Sequence, residues 1–200
     1  MSFVFRWYRR QLKRQPLATQ ALTTGFLFGT GDLIAQTAVE QTPLTSIDAI
    51  RTARLTLFGT TICGPAMVIW YRLLSKNILL ASPMQTLAAR VSLDQLVFAP
   101  SFLAVFFAAT GLMEGRSFSE VGTKLSAGYP DALVSNYKLW PAVQMINFYL
   151  VPLHYQALFV NVIALGWNTY LSVLNRRSGL AAVEQAEKTM EDLASLILPK

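Results

Sequence analysis

The sequence contains few charged residues, one cysteine and one histidine. Lysine, arginine, aspartate and glutamate make up 14% of the 200 residues, whereas 53% are hydrophobic. A soluble domain normally carries about a quarter charged residues. The shortage of charge argues against one compact soluble core, and the composition therefore predicts a single-domain, multi-pass membrane protein.

The lone cysteine, Cys63, excludes a disulfide within the chain, and its position in an apolar run favours a packing role. The count of cysteine and histidine also excludes a zinc site built from these two residue types. We therefore expect no metal and no cofactor, and we expect a protein that is not an enzyme.

The net charge of +6 does not predict direct nucleic-acid binding. The basic residues lie at the edges of apolar runs and form no patch interleaved with aromatic residues. Residues 1–16 contain no acid and would place basic side chains on one side of a helix and apolar ones on the other. This pattern predicts an uncleaved amphipathic helix that lies on the membrane surface.

Four apolar segments predict an all-α fold with about four transmembrane helices, since one crossing needs about 20 residues. They are residues 17–39, 55–71, 96–113 and 139–174. The last is too long for one crossing, and Pro152 is expected to divide it. These spans define a membrane domain over 17–177, followed by an amphipathic soluble helix over 178–200.

The loop between the third and fourth spans contains two local signals. Ser117 and Glu120 form a capping-box pattern, which predicts a short interfacial helix. The sequence YPD at 129–131 is typical of a turn, so we expect it to separate that helix from the next.

The first span carries polar and small residues on one side. Gly25, Gly29, Asp32 and Gln36 fall within about 60° on a helix, and the two glycines form a GxxxG pattern that permits close helix packing. A carboxylate in a bilayer costs about 3 kcal/mol unless it is paired or hydrated. Asp32 is therefore expected inside the bundle, either paired with an arginine or polar group of a neighbouring helix, or lining a polar cavity or ion path.

The same segment spells GTGD, the GxGD motif of intramembrane aspartyl proteases. That chemistry needs a second carboxylate sharing a proton, and Asp94 is the candidate partner. It lies in LDQ after the GxGD motif, in the reverse order, and no PAL motif follows. The protease interpretation is therefore disfavoured, and Asp94 and Gln95 are treated as candidate polar-interior residues.

The fourth span is unusually polar and contains Pro141 and Pro152, which are expected to bend or break it. Its polar residues share helix faces in two groups: Trp140, Gln144 and Asn147 before the break, and His154, Asn161 and Asn168 after it. These groups either form hydrogen bonds between helices, at about 0.6 kcal/mol each, or line a hydrated path.

Several motifs occur in the order found in one known family. They are WYRRQLKRQP near the start, GTGDLIAQ at 29–36, GP at 64–65, WY at 70–71, LDQLVFAP at 93–100, YPDALVSNYKLWPAVQMINFYLVPLHYQ from 129 and WNTYLS from 167. Over about residues 5–177 the chain resembles the Mpv-seventeen and peroxisomal membrane protein family, and most of all its mitochondrial branch with the fungal stress-inducible (Sym-one type) members. Gln156 departs from the arginine usual in that family.

The resemblance implies a multi-pass protein of the mitochondrial inner membrane, with the peroxisomal membrane as the alternative location. It also implies a weakly selective channel that responds to membrane potential, and a link to stress response and mitochondrial DNA maintenance. The chain has no evident DNA-binding element, so this link is expected to act through matrix metabolites.

We therefore expect a channel or metabolite-passage protein, which requires polar faces that converge on a shared interior. The alternative is a non-transporting membrane organiser that docks partners on the GxxxG strip or the tail, with the polar faces taken up by helix packing. The lipid bilayer is the expected partner, together with a homo-oligomer or an inner-membrane complex.

Overall fold

A computed structural model describes residues 3–167 of the chain, and that part is helical without β-strands. Six α-helices follow one another: α1 (Phe3–Arg14), α2 (Pro16–Ile34), α3 (Ala49–Asn77), α4 (Pro83–Met113), α5 (Phe118–Leu150) and α6 (153–167). The predicted all-α fold is confirmed over this range. Asn168, the end of the fourth predicted span and the predicted tail helix over 178–200 lie outside the described residues.

Most helices begin at residues that suit a helix start. Pro16 is the first residue of α2, a position whose backbone N–H would have no partner within the helix, so the N–H that proline lacks costs nothing there. Asp48 and Ser82 accept backbone hydrogen bonds as the N-caps of α3 and α4. Ser117 and Glu120 form the predicted capping box at the start of α5. These local signals fix where the chain turns between helices.

The predictions of a short interfacial helix and of a turn at YPD are wrong. The helix that Ser117 caps runs for 33 residues and contains both Pro130 and Pro141. The Tyr129 hydroxyl donates to the Pro100 carbonyl of α4 at 3.2 Å, so packing against α4 outweighs the local turn preference. Of the two prolines in the predicted fourth span, only Pro152 lies at a break between helices.

Two helices in the described part are long and apolar enough to cross a membrane. They are α3, with 29 residues, and α4, with 31 residues, and both extend beyond the predicted spans 55–71 and 96–113. As a consequence, Asp94 lies in the middle of α4 instead of just before a span. Helix α2 and the π-helical turn that follows it, Ala35–Val39, match the predicted segment 17–39.

The bundle is apolar on its outer surface and polar in parts of its interior. Large side chains such as Phe26, Leu96 and Tyr149 are about 70% exposed. By contrast, amide, hydroxyl and carboxyl side chains from four helices are buried. Soluble proteins show the opposite distribution, whereas lipid covers apolar side chains and drives polar ones inward.

The centre of the bundle is formed around α3. The Phe58 ring is fully buried, and its centroid lies 5.3 to 6.0 Å from those of Phe28, Phe102 and Phe106. Offset and edge-to-face arrangements at these distances stabilise a core beyond simple burial. This aromatic cluster joins α2, α3 and α4 and holds their polar faces in place.

Three π-helical turns interrupt the regular hydrogen bonding of these helices. Ala35–Val39 follows α2, Gly59–Cys63 lies within α3 and Asp94–Phe98 lies within α4. Such turns often occur at functional sites because they redirect side chains. Two of the three contain candidate polar-interior residues, Gln36 in the first and Asp94 with Gln95 in the last.

Candidate functional site

Asp32 is the centre of a cluster between the end of α2 and the start of α3, which we call the ion-pair cluster (Asp32, Gln36, Glu40, Arg51 and Thr52). Arg51 Nε lies 2.7 Å from Asp32 Oδ1, and the terminal guanidinium nitrogens donate to the Glu40 carboxylate at 2.9 and 3.0 Å. Gln36 Nε2 and Thr52 Oγ1 donate to Asp32 Oδ2 at 2.8 and 2.6 Å. Asp32 is therefore paired with an arginine, as the packing alternative requires.

The ion-pair cluster also fixes the start of α3. The Asp48 backbone N–H donates to Gln36 Oε1 at 2.8 Å, and Gln36 Nε2 donates to the Asp48 carbonyl at 3.2 Å. The Asp32 side chain is 1% exposed and that of Arg51 is 39% exposed. The cluster therefore connects a buried carboxylate to the surface of the bundle.

Gly25 and Gly29 form the closest contact between α2 and α3. A Cβ atom on Gly25 would overlap Thr60 Oγ1 and lie 2.9 Å from the Thr56 carbonyl oxygen. A Cβ atom on Gly29 would overlap Thr56 Oγ1. Both glycines therefore allow the two backbones to approach, as a GxxxG pattern does. The strip faces a helix of the same chain, so it is not free to receive a partner protein.

Asp94 belongs to a second cluster, the central cluster, which joins α3, α4 and α5 (Trp70, Tyr71, Asp94, Gln95, Asn136, Tyr137, Gln144 and Asn147). Asp94 is 2% exposed. Trp70 Nε1 donates to its Oδ1 at 2.9 Å, and Gln95 Nε2 donates to its Oδ2 at 2.8 Å. Tyr137 donates to the Gln95 carbonyl at 3.0 Å. Within residues 3–167 no cationic side chain forms an ion pair with Asp94.

The amides of α5 continue the central cluster to the break before α6. Gln144 Nε2 donates to the Tyr71 hydroxyl at 3.1 Å, and Asn147 Nδ2 donates to Gln144 Oε1 at 2.8 Å. Gln156 Nε2 donates to the carbonyls of Asn147 and Val151 at 3.4 and 3.1 Å. The Asn147 carbonyl also accepts from the Val151 backbone N–H at 3.2 Å, so Gln156 gives it a second donor and gives the Val151 carbonyl, just after α5, a donor as well. Asn147 is fully buried, and its Oδ1 has no hydrogen-bond partner in the part of the chain that is described.

A third contact joins α2 to α6. Asn161 Nδ2 donates to Thr24 Oγ1 at 2.7 Å, and Gln20 Nε2 donates to the His154 carbonyl at 2.8 Å. The His154 imidazole is exposed beside the Tyr155 ring, with centroids 4.1 Å apart. The prediction that His154 and Asn161 face the same interior is therefore wrong, since Asn161 is buried and the His154 side chain is exposed. His154 lies in the first turn of α6, where its backbone faces α2 and its side chain reaches the edge of the bundle.

Several members of these clusters were not predicted from the sequence. They are Gln20, Thr24, Glu40, Arg51, Thr52, Trp70, Tyr71, Asn136, Tyr137 and Gln156. One signal was available, since Gln20, Thr24 and Asp32 follow a spacing of multiples of four and thus share one side of α2, and Gln36 comes four residues later in the π-helical turn. The partners on other helices have no such signal, because they come from distant parts of the chain.

Comparison with known proteins gives consistent relatives. The Mpv17 / PMP22 family model matches residues 111–172. Protein sym-1 of Neurospora crassa is 46% identical over 84% of this chain and 97% of its own length. Protein SYM1 of Gibberella zeae is 42% identical over 88% of this chain and 99% of its own length.

An animal relative has a similar level of identity. The mitochondrial inner membrane protein Mpv17 of Mus musculus is 43% identical over 84% of this chain and 96% of its own length. No solved structure matches the chain. The resemblance inferred from motifs is thus confirmed over nearly the whole length of these relatives, and the chain belongs to the Mpv17 / PMP22 family.

Proposed function

We propose that the protein is a four-span channel of the mitochondrial inner membrane that passes small polar solutes and is not an enzyme. The location is supported by the name of the mouse relative, a mitochondrial inner membrane protein. Helices α3 and α4 are long and apolar enough to cross a membrane, and the proposal assigns one crossing to each. In this proposal α2 and the segment 139–174 supply the other two.

The observation that carries the proposal is the set of buried polar side chains that four different helices hold, in three groups, inside the bundle. Hydrogen bonds between membrane helices contribute only about 0.6 kcal/mol each, whereas a carboxylate in the bilayer costs about 3 kcal/mol. Apolar side chains would pack α4 against α3 without that cost. The carboxylate of Asp94, which is buried and forms no ion pair within residues 3–167, supports a role in passage beyond packing.

The conformation described here is interpreted as a closed one, because most of the polar groups pair with each other. Opening would separate α2 from α3 at the ion-pair cluster and hydrate the central cluster. Moving one charge across a potential of 100 mV provides about 2.3 kcal/mol. That energy is comparable to the net contribution of one or two charged hydrogen bonds, so membrane potential is a suitable opening stimulus.

The organiser function is the second candidate, and the extensive pairing of polar side chains inside the chain favours it. One of its two proposed docking surfaces is occupied, however, because Gly25 and Gly29 contact α3. The organiser would therefore depend on the tail over 178–200. In both candidates the protein supports the stress response and the maintenance of mitochondrial DNA. Respiratory growth and mitochondrial DNA content, measured in cells that lack the protein, test this role.

Recording from planar bilayers containing the purified protein distinguishes the two candidates. We expect the wild type to conduct, and we expect Asp94→Asn to lower its preference for cations because the variant removes a buried negative charge. Asp131→Asn is the matched control, since Asp131 is exposed on α5. A wild type that never conducts, whatever the potential, would refute the channel and leave the organiser. If Asp94→Asn and Asp131→Asn change the cation preference equally, the effect of Asp94→Asn comes from the overall charge of the protein and not from the position of Asp94.

A further inference from the structure

A cavity of about 280 Å³ lies where α1 meets α2, α3 and α6. Lys13 of α1, Arg72 of α3 and His154 of α6 line it, and no acidic residue does. The cavity is separate from the ion-pair cluster and was not indicated by any sequence motif. Its charge favours a ligand with a negative group.

The two cations at this cavity are available to a ligand. Lys13 and Arg72 are exposed, and within the described residues neither takes part in an ion pair. Arg90 differs from them, because its guanidinium donates to the carbonyls of Ser75 and Ile78 at the end of α3. Arg90 has a structural partner, whereas Lys13 and Arg72 leave their donors for a group outside the bundle.

Apart from its three basic residues, Gln20 and Tyr71, the cavity is lined by apolar side chains. Leu12, Val68 and Ala157 are buried behind it, and Pro16 and Leu153 border it. A small inorganic anion would gain nothing from such walls. An amphiphile with an anionic group and hydrocarbon next to it fits both the charge and the walls.

The position of the cavity matches the boundary between lipid and water. Arg72 directly follows the apolar stretch 55–71, and α1 has the amphipathic pattern of a helix that lies on a membrane surface. The volume is slightly below the range of about 300–1,000 Å³ that is typical of small-molecule sites, so it suits a headgroup and not a whole lipid. Exposed apolar side chains nearby, such as Leu17 and Ile69, provide a surface for acyl chains.

We propose that this cavity is a binding site for the phosphate headgroup of an anionic phospholipid. Lys13 and Arg72 donate to the phosphate oxygens, and the acyl chains lie along the apolar outer surface of α2 and α3. The bound lipid links α1 to the membrane-embedded helices. Basic pockets between membrane helices bind anionic headgroups by the same combination of charge and shape.

The test is a titration of the full-length protein in detergent with dioleoyl phosphatidylglycerol, followed by native mass spectrometry. A lysine or arginine near an anionic headgroup contributes a free energy that corresponds to about a fivefold change in affinity. The double variant Lys13→Gln/Arg72→Gln is therefore expected to weaken binding about 25-fold. The matched control Arg14→Gln/Lys76→Gln removes two exposed cations from the same helices, outside the cavity, and should bind as the wild type does.

Three further measurements test the position and the source of the ligand. Leu153→Trp fills the cavity without changing its charge and should also weaken binding, and dioleoyl phosphatidylcholine should bind more weakly than phosphatidylglycerol. Equal losses in the two double variants would overturn the proposal in favour of general surface attraction. Unchanged binding by Leu153→Trp would place the lipid elsewhere. Displacement of the lipid by an equal concentration of glycerol 3-phosphate would assign the cavity to a soluble phosphate compound and overturn the lipid site.

Discussion

Replacing Gly25 by alanine is expected to destabilise the protein, although alanine favours a helix over glycine. The new Cβ atom would overlap Thr60 Oγ1 and lie 2.9 Å from the Thr56 carbonyl oxygen. The threonine side chain can change its rotamer to make room. The carbonyl oxygen belongs to the backbone of α3, so it moves only if α3 shifts away from α2.

The size of the effect follows from two opposing terms. Overpacking a close contact costs about 1–3 kcal/mol, and the backbone clash places Gly25→Ala near the upper end. The higher helix propensity of alanine offsets about 1 kcal/mol of this cost. We therefore expect a net loss of about 2 kcal/mol in the free energy of unfolding.

Gly29 provides an internal comparison, because a Cβ atom there would clash with a side chain alone. It would overlap Thr56 Oγ1, while Thr56 Cβ would be at an ordinary contact distance of 3.7 Å. Thr56→Ala removes the clashing oxygen. The double variant Gly29→Ala/Thr56→Ala is therefore expected to recover about 1 kcal/mol relative to Gly29→Ala alone.

Equilibrium unfolding of the purified protein in mixed detergent micelles measures these changes. Gly122→Ala in α5 is the matched control, because its Cβ atom would meet nothing within 4 Å. This control should be stabilised by up to about 1 kcal/mol. If Gly25→Ala is stabilised to the same extent, α2 and α3 do not pack as closely as described. If Thr56→Ala fails to restore Gly29→Ala, the clash with Thr56 Oγ1 is not the cause.

Two further substitutions test other contacts. Arg51→Gln leaves the buried carboxylate of Asp32 without its ion pair, and we expect a loss of about 2 kcal/mol in the free energy of unfolding. This is below the loss of about 3–5 kcal/mol typical of a fully buried pair, because Arg51 is 39% exposed. A similar loss in Arg54→Gln would contradict this explanation. Hydrogen bonds from the Ser117 side chain and backbone lower the pKa of Glu120. The cap therefore stabilises the start of α5 fully at pH values above the ordinary carboxyl pKa. This stabilisation is lost as the pH falls through the lowered pKa of Glu120. An NMR titration should find a higher Glu120 pKa in Ser117→Ala than in the wild type, and an unchanged value would rule out the capping box.

Some parts of the structure could be predicted from the sequence because they depend on neighbouring residues. The low content of charge indicated a membrane protein, and the capping box marked the start of α5. The spacing of Gly25, Gly29, Asp32 and Gln36 indicated one side of a helix, and the structure places these four residues in its buried set. Helical periodicity repeats every few residues, so a short stretch of sequence is enough to recognise it.

Other predictions failed because the outcome depended on packing between helices. The YPD sequence favours a turn, yet α5 continues through it against α4. His154 has the spacing of a residue on the same face as Asn161, yet its position in the first turn of α6 leaves the imidazole exposed. For YPD, the cost of about 3 kcal/mol for a proline inside a helix competes with contacts along the whole of α5.

The sequence by itself determined that this is a helical membrane protein and which residues of each helix are polar. Only the tertiary structure decided which residues pair. Thr24 and Asn161 are 137 residues apart, and Trp70 and Asp94 are 24 apart on different helices. The physical reason is that a helix fixes the direction of its own side chains, whereas the partner of a buried carboxylate or amide is set by how the helices cross, which the packing of the whole bundle determines.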